Sequence, residues 1–285
     1  MISFNYLASP GQLGNQMFKY AALKGIAQGL NTDFLMPPSY NIYNLKLVFK
    51  ILKKFNLIDQ RNHVNHLLFK FFKMESVQKN NIGYSDFNEC ITEESFAFDS
   101  KFFSSEKENF DIYGFFQSYK YFDKIKDDVT SDFNFKDEII EKCKLLYSNL
   151  ENPISIHIRR GDYLTNPNHQ VLGLDYYKKS IEMLGTDNNY LIFSDDSVWC
   201  KNQSIFKSKN MNFAVDLSNG RQEIDLCLMT LCNRHIIANS TFSWWGAYLS
   251  KQESVIAPNN WFKKTILSSD TTSDLYPLNW DLVEN

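Results

Sequence analysis

I-S-I-H-I-R-R-G-D-Y, residues 154–163, decides how the rest of the chain is read. Ile154, Ile156 and Ile158 alternate with Ser155, His157 and Arg159, the period of two of a β-strand. The isoleucines are expected to face a core and the polar set to face away from it. The strand runs straight into Arg160, Gly161 and Asp162. Two guanidinium groups, an imidazole and a carboxylate thus converge at its C-terminal end, where open α/β sheets bind ligands. A guanidinium is charged at any working pH, and its planar fork of donors suits a phosphate or diphosphate better than a point charge does. The same residues also read as a surface salt bridge, and Arg160-Gly161-Asp162 spells an adhesion tripeptide; the run alone leaves these readings open.

Working outward, the second half alternates helix and strand. Helix is expected over 175–184, from about 197, over 223–232 and over 241–249; strand over 190–193, 213–215, 235–238 and 254–257. Such alternation implies a parallel, doubly wound sheet. A charged helix over 136–150 leads into this half, with the boundary at Asn152-Pro153, giving domains 1–152 and 153–285. The first half opens with a strand over 2–7, a glycine-containing loop (Ser9-Pro10-Gly11-Gln12-Leu13-Gly14-Asn15-Gln16), a helix through Leu30, and a short strand over 33–36 stopped by Pro37-Pro38. Neither G-x-G-x-x-G nor G-x-x-x-x-G-K-[ST] is present, which argues against a dinucleotide fingerprint and a P-loop.

With 285 residues, 44% hydrophobic and 22% charged, the chain has the composition of a soluble globular protein of one large or two ordinary domains. A net charge of -3 and a pI near 6.0 give no general attraction to nucleic acid, so phosphate binding must be local. Cys90, Cys143, Cys200, Cys227 and Cys232 are odd in number and lack a C-x-x-C pair, so neither a disulfide framework nor a zinc site is suggested; reduced, mostly buried thiols are expected. No basic n-region opens the sequence and no run of about 18 apolar residues occurs, so a cytoplasmic location is expected.

Residues 40–74 are helical in pattern and basic: Lys46, Lys50, Lys53, Lys54, Arg61, Lys70 and Lys73 are opposed only by Asp59. They read either as a solvated face or as a weak peripheral contact, through 46–73, with an anionic membrane surface on its inner side. Residues 80–111 read as irregular. In 112–121, Tyr113, Phe115, Phe116, Tyr119 and Tyr121 surround Gln117, Ser118 and Lys120, which suits either a sugar site or an aromatic core strand.

Three strand ends of the second half carry polar clusters: 157–162, then Ser194-Asp195-Asp196, then Asn239-Ser240-Thr241-Phe242-Ser243-Trp244-Trp245-Gly246. One such cluster is a helix cap, for which Ser194 with Asp195 is suited; three on one sheet edge describe a crevice. In it, the hydroxyls and backbone N–H groups of Ser240, Thr241, Phe242 and Ser243, with Arg159, suit a diphosphate. A carboxylate such as Asp196 suits the N1 and N2 hydrogens of guanine.

Together with G-Q-L-G-N-Q-M-F (11–18), G-F-F-Q-S-Y-K-Y-F (114–122), F-S-D-D (193–196) and I-A-N-S-T-F-S-W-W-G (237–246), the H-I-R-R-G-D-Y run (157–163) resembles the bacterial and animal galactoside α-1,2-fucosyltransferases. The resemblance runs from residue 11 to about Phe262. It implies a GT-B fold, α/β, with two Rossmann-like domains facing across a cleft: an N-terminal acceptor side and a C-terminal domain holding GDP-fucose. It implies inverting transfer of L-fucose from GDP-β-L-fucose to a hydroxyl, O2 of a terminal β-galactoside, on an oligosaccharide or lipid-linked glycan.

By motif, Arg159 matches an arginine on the β-phosphate, His157 and Asp196 match residues near guanine, and Asn15 lies in an active-site Gly-Asn-Gln loop. Gly14, Arg160, Ser194 and Asn239 join the expected donor set, while Gln117, Tyr163 and Trp245 are expected toward the acceptor. Asp162 and His169 are the nearest candidates for a base. The strand ends at Asp195-Asp196 without an Asp-x-Asp, beside two arginines, so no cofactor and no divalent metal are expected. Transfer of another GDP-sugar, another linkage, and an idle nucleotide- or glycan-binding module remain the alternatives.

Overall fold

The structure, a computed structural model, describes residues 1–7, 11–36, 67–74, 87, 89–104, 109–263, 272 and 274–285. By packing the chain divides into Met1–Asn134 and Phe135–Asn285. Most of the basic stretch 46–73 lies outside the described residues.

The first unit holds a wholly parallel sheet of β1 (Ile2–Ser3), β2 (Phe34–Leu35), β3 (Cys90–Thr92) and β4 (Phe110–Tyr113), in the order β2-β1-β4-β3. Helix α1 (Leu13–Gly29) connects β1 to β2 and is buried almost all round, through Met17, Phe18, Ala21, Ala22, Leu23 and Ile26 among others. Gly25 permits this depth, because a Cβ there would lie 2.0 Å from the Tyr121 carbonyl oxygen. The strand expected over 2–7 stops after two residues. The Asn5 N–H is taken by Asp111 Oδ1 at 2.9 Å, and Leu7 N–H turns back to the Phe4 carbonyl. β3 lies within the stretch read as irregular. β4 ends at Tyr113, so the aromatic run that follows is a turn and a short 3-10 helix (Tyr119–Tyr121), not a strand.

The second unit begins earlier than expected. Helix α2 (Asp137–Tyr147), read from sequence as part of the first domain, buries Ile139 and Cys143, and the Cys143 thiol lies 3.7 Å from the Ile224 carbonyl. Asn152-Pro153 marks only a turn ahead of the next strand, with Asn152 left-handed at φ 45. The strands are β5 (Ile154–Ile158), β6 (Tyr190–Ser194), β7 (Met211–Phe213), β8 (Arg234–Ile236), β9 (Ser254–Pro258) and β10 (Asp281–Val283). All are parallel, in the order β10-β9-β8-β5-β6-β7. Helices α3 (Leu174–Leu184), α4 (Ser197–Asn202), α5 (Gln222–Leu231) and α6 (Thr241–Tyr248) fill most of the connections. The chain builds one wing from β6 and β7 and the other from β8, β9 and β10, so the order reverses between β5 and β8. That is the dinucleotide-fold order, whose switch point is a ligand crevice.

β5 is buried along its whole length, which corrects the open polar face expected for it. Its isoleucines join Tyr176, Tyr177 and Ile181 of α3 in one core, each isoleucine contributing about 1.5–3 kcal/mol by burial. The opposite side chains are covered and paired: Ser155 Oγ with His235 Nδ1 at 2.7 Å, and His157 Nδ1 with Ser243 Oγ of α6 at 2.8 Å. Burial of such groups is tolerated because each has a hydrogen-bond partner. Of the cysteines, all but Cys90 are buried, and all are free thiols. Both units are α/β and Rossmann-like, as a GT-B chain requires.

Candidate active site

In the second unit the polar clusters gather where β5, β6 and β8 end. Arg159 follows β5 and donates through Nη2 to Asp162 Oδ1 at 2.6 Å, while Nη1 lies 3.0 Å from Asp195 Oδ2. Its guanidinium also stands 5.5 Å from the centre of the Tyr163 ring. The other Asp195 oxygen accepts the Arg160 N–H at 2.9 Å, so this one carboxylate fixes both the backbone and the arginine of the loop. Gly161 admits it: a Cβ there would lie 2.5 Å from Asp195 Oδ2. Asp195 was not among the residues expected to bind here, although it stands in the Ser194-Asp195-Asp196 cluster at the end of β6.

Arg160 and Asp196 are committed to each other. Arg160 Nε donates to Asp196 Oδ2 at 3.1 Å and its guanidinium lies 3.8 Å over Trp199. Asp196 Oδ1 caps α4 by accepting the Trp199 N–H at 3.1 Å, and Ser194 Oγ accepts the Asp196 N–H at 3.0 Å. The cap expected from Ser194 and Asp195 is therefore made by Asp196. Arg160 thus braces the loop through Nε and through the Trp199 ring.

His157 is held neutral: burial first, and then the charge of Arg159, push its pKa down to about 3. Asn239 is buried, with its side-chain amide donating to the carbonyls of Gln170 and Trp261 at 3.0 Å each and its backbone carbonyl accepting from Tyr163 Oη at 2.9 Å. Ser240 is the N-cap of α6, with Thr241 and Phe242 half-buried in its first turn and Ser243 buried behind them. The Tyr163 hydroxyl is thus already in use, and the ring stacks on His169 at 4.4 Å, which in turn lies 5.3 Å from Phe262. Burial lowers the His169 pKa. Asp162, the other candidate base, is exposed and bound to Arg159.

Trp245, expected toward the acceptor, is fully buried, edge-on to Trp244 at 5.0 Å and to Tyr248 at 5.5 Å, and packs into the core through α6.

The first unit has its own polar group. Asn15, in the first turn of α1, accepts from Gln117 Nε2 at 3.0 Å; Gly14 is buried beside it. One turn on, Lys19 is fully buried, donates to the Tyr6 carbonyl at 3.1 Å, and lies 5.6 and 5.3 Å from the rings of Phe4 and Phe115. Burial lowers its pKa to about 8, against an upward pull from Glu93; burial raises that of Glu93 to about 7. Sequence reasoning missed both, Lys19 because it looks like the polar face of a helix and Glu93 because its stretch has no pattern. Among the described residues no group of three or more His, Cys, Asp or Glu side chains could hold a metal ion.

The sequence matches the pattern of glycosyl transferase family 11 over residues 2–284. It is 30% identical to O-antigen biosynthesis glycosyltransferase WbnK of Escherichia coli, over 95% of this chain and 100% of that protein. It is 31% identical to alpha-1,2-colitosyltransferase of Escherichia coli, over 96% of this chain and 97% of that one. To galactoside alpha-(1,2)-fucosyltransferase 1 of Rattus norvegicus it is 24% identical, over 91% of this chain and 67% of that protein. A parallel sheet with polar groups massed at its switch point, and a family pattern spanning nearly every residue, lead to one conclusion: the chain belongs to glycosyl transferase family 11 and is a glycosyltransferase.

Proposed function

We propose that the protein transfers L-fucose from GDP-β-L-fucose to O2 of a terminal β-galactoside with inversion. The acceptor oxygen bonds to the anomeric carbon, the bond from that carbon to the β-phosphate oxygen breaks, and the hydroxyl proton leaves to a base or to water. The observation that carries the reading is Arg159, directly after β5 at the edge where β5, β6 and β8 end, its guanidinium oriented by Asp162 and Asp195. Negative charge grows on the departing diphosphate, and a fork of fixed donors there lowers the barrier. Asn15 and Gln117 of the first unit are assigned to acceptor hydroxyls, and Asp162 or His169 to the proton. No divalent metal is required in this scheme, so turnover survives EDTA.

The relative named a colitosyltransferase favours a second donor, a colitosyl nucleotide, with the same linkage. The test incubates the protein with each donor and a panel of β-galactosides and determines the linkage of the product. Transfer from neither donor, or a linkage other than α-1,2, overturns the proposal. A peripheral contact of the 46–73 stretch with anionic lipid, at the inner face of a membrane in the cytoplasm, belongs to the same scheme. Flotation with anionic vesicles at low salt tests it, and protein left at the bottom rejects it. Among the described residues no helix is long and apolar enough to cross a membrane.

A further inference from the structure

The chain after β4 reverses within a few residues, and it does so around one side chain. Glu93, just past β3, accepts the Phe115 N–H at 2.7 Å and the Phe116 N–H at 3.0 Å. Phe116 is left-handed at φ 52, a conformation that bulky residues keep only where their surroundings impose it. Gly114 makes room for the carboxylate, because a Cβ there would lie 2.5 Å from Glu93 Cβ and 2.6 Å from its Oε2. The two rings are then anchored, Phe116 edge-on to Phe4 at 5.5 Å and Phe115 stacked on Phe96 at 6.0 Å. The next residue is Gln117, whose amide holds Asn15. A continuous path of hydrogen bonds and one tight turn therefore leads from Glu93 to Asn15.

We infer that Glu93 is a positioning residue: its carboxylate holds residues 114–118 in the shape that sets Gln117 against Asn15, and so fixes the pair the first unit offers to the acceptor sugar. The inference rests on the assignment of Asn15 and Gln117 given above. Packing alone does not call for an acid at this place, since a half-buried carboxylate loses hydration. Two adjacent backbone N–H groups in the turn engage both of its oxygens, and the charge of buried Lys19 lies within reach of it.

The experiment measures steady-state kinetics with donor and acceptor varied separately, GDP affinity by calorimetry and melting temperature for Glu93→Ala, Glu93→Gln and Gly114→Ala. Misplacement by about an ångström costs up to about 10²-fold in rate. Glu93→Ala is accordingly expected to lower kcat/KM for the acceptor by about 10- to 100-fold while donor KM and GDP affinity stay within about twofold. Glu93→Gln, which keeps one oxygen for these N–H groups, recovers most of the loss, and Gly114→Ala reproduces it by displacing the carboxylate. An acceptor kcat/KM at the wild-type level in Glu93→Ala, or donor and acceptor parameters falling together with the melting temperature, overturns the inference. If Glu93→Ala does not fold, the other two variants decide by the same criterion. Asn15→Ala and Gln117→Ala separate the two levels. If both turn over normally, the acceptor assignment fails; if both are impaired and the Glu93 variants are not, only the role of Glu93 fails.

Discussion

Arg159 Nη1 lies 3.0 Å from Asp195 Oδ2, so the arginine that follows β5 is neutralised within its own unit, and Asp162 takes its other edge at 2.6 Å. A diphosphate arriving there competes with two existing ion pairs. Partly exposed pairs of this kind contribute little net stability. What the site gains from arginine is therefore geometry, two parallel donors already oriented by two carboxylates, more than added charge.

Arg159→Lys keeps the charge and loses the fork. It should lower kcat by on the order of 10²–10³, as the loss of one transition-state donor does, and weaken GDP binding, with little change in melting temperature. Rates, GDP affinity and melting measured on one preparation check this, and wild-type kcat in the mutant would falsify it.

Asp196→Ala removes the cap of α4 and the partner of Arg160 at once. A lost N-cap costs about 1 kcal/mol, so melting should shift down by about 2–4 °C or more. If Asp196 also receives the guanine hydrogens, the donor KM rises while the acceptor KM does not. A lowered melting point with unchanged GDP affinity confines Asp196 to the cap.

His157 should stay neutral in the folded protein down to about pH 4, because its pKa lies near 3 against the usual 6.5. The native state then binds fewer protons than the unfolded one between those values, so the contribution of this ring to stability falls as pH falls through the window. Imidazole resonances followed by NMR give the midpoint directly. A midpoint near 6.5 would mean that the ring meets water and is free to exchange protons during turnover.

Trp245→Ala should act on stability. Removal of a fully buried tryptophan costs about 3–5 kcal/mol, and the folded fraction should keep the wild-type acceptor KM. Chemical denaturation with kinetics on the residual folded enzyme checks both, and a raised acceptor KM without destabilisation would return Trp245 to the acceptor site.

The alternation of Ile154, Ile156 and Ile158 with polar residues, and the regular spacing of helices after it, carried the second unit's architecture. The same alternation misplaced His157 and Ser155, because period two distinguishes two faces and cannot say that helices cover both. β3 and β10 are three-residue edge strands with exposed positions, too short to leave a pattern. Asp195 and Asp196 are adjacent and chemically identical. Which one braces Arg159 and which one caps α4 depends on where β6 ends against β5, a tertiary fact. Glu93 is the same case, since the N–H groups it receives come from residues more than twenty positions away.

Ser155 and His235 face each other across β5 and β8, 80 residues apart in sequence. A chain leaving the ribosome therefore exposes β5 with one edge unpaired until β8 has followed, however well β6 and β7 have already docked. Parallel pairing over so long a separation is slow, and an open apolar edge invites association with other nascent chains. The strand that leads into Arg159 is thus also one whose second edge waits for residues 80 positions downstream.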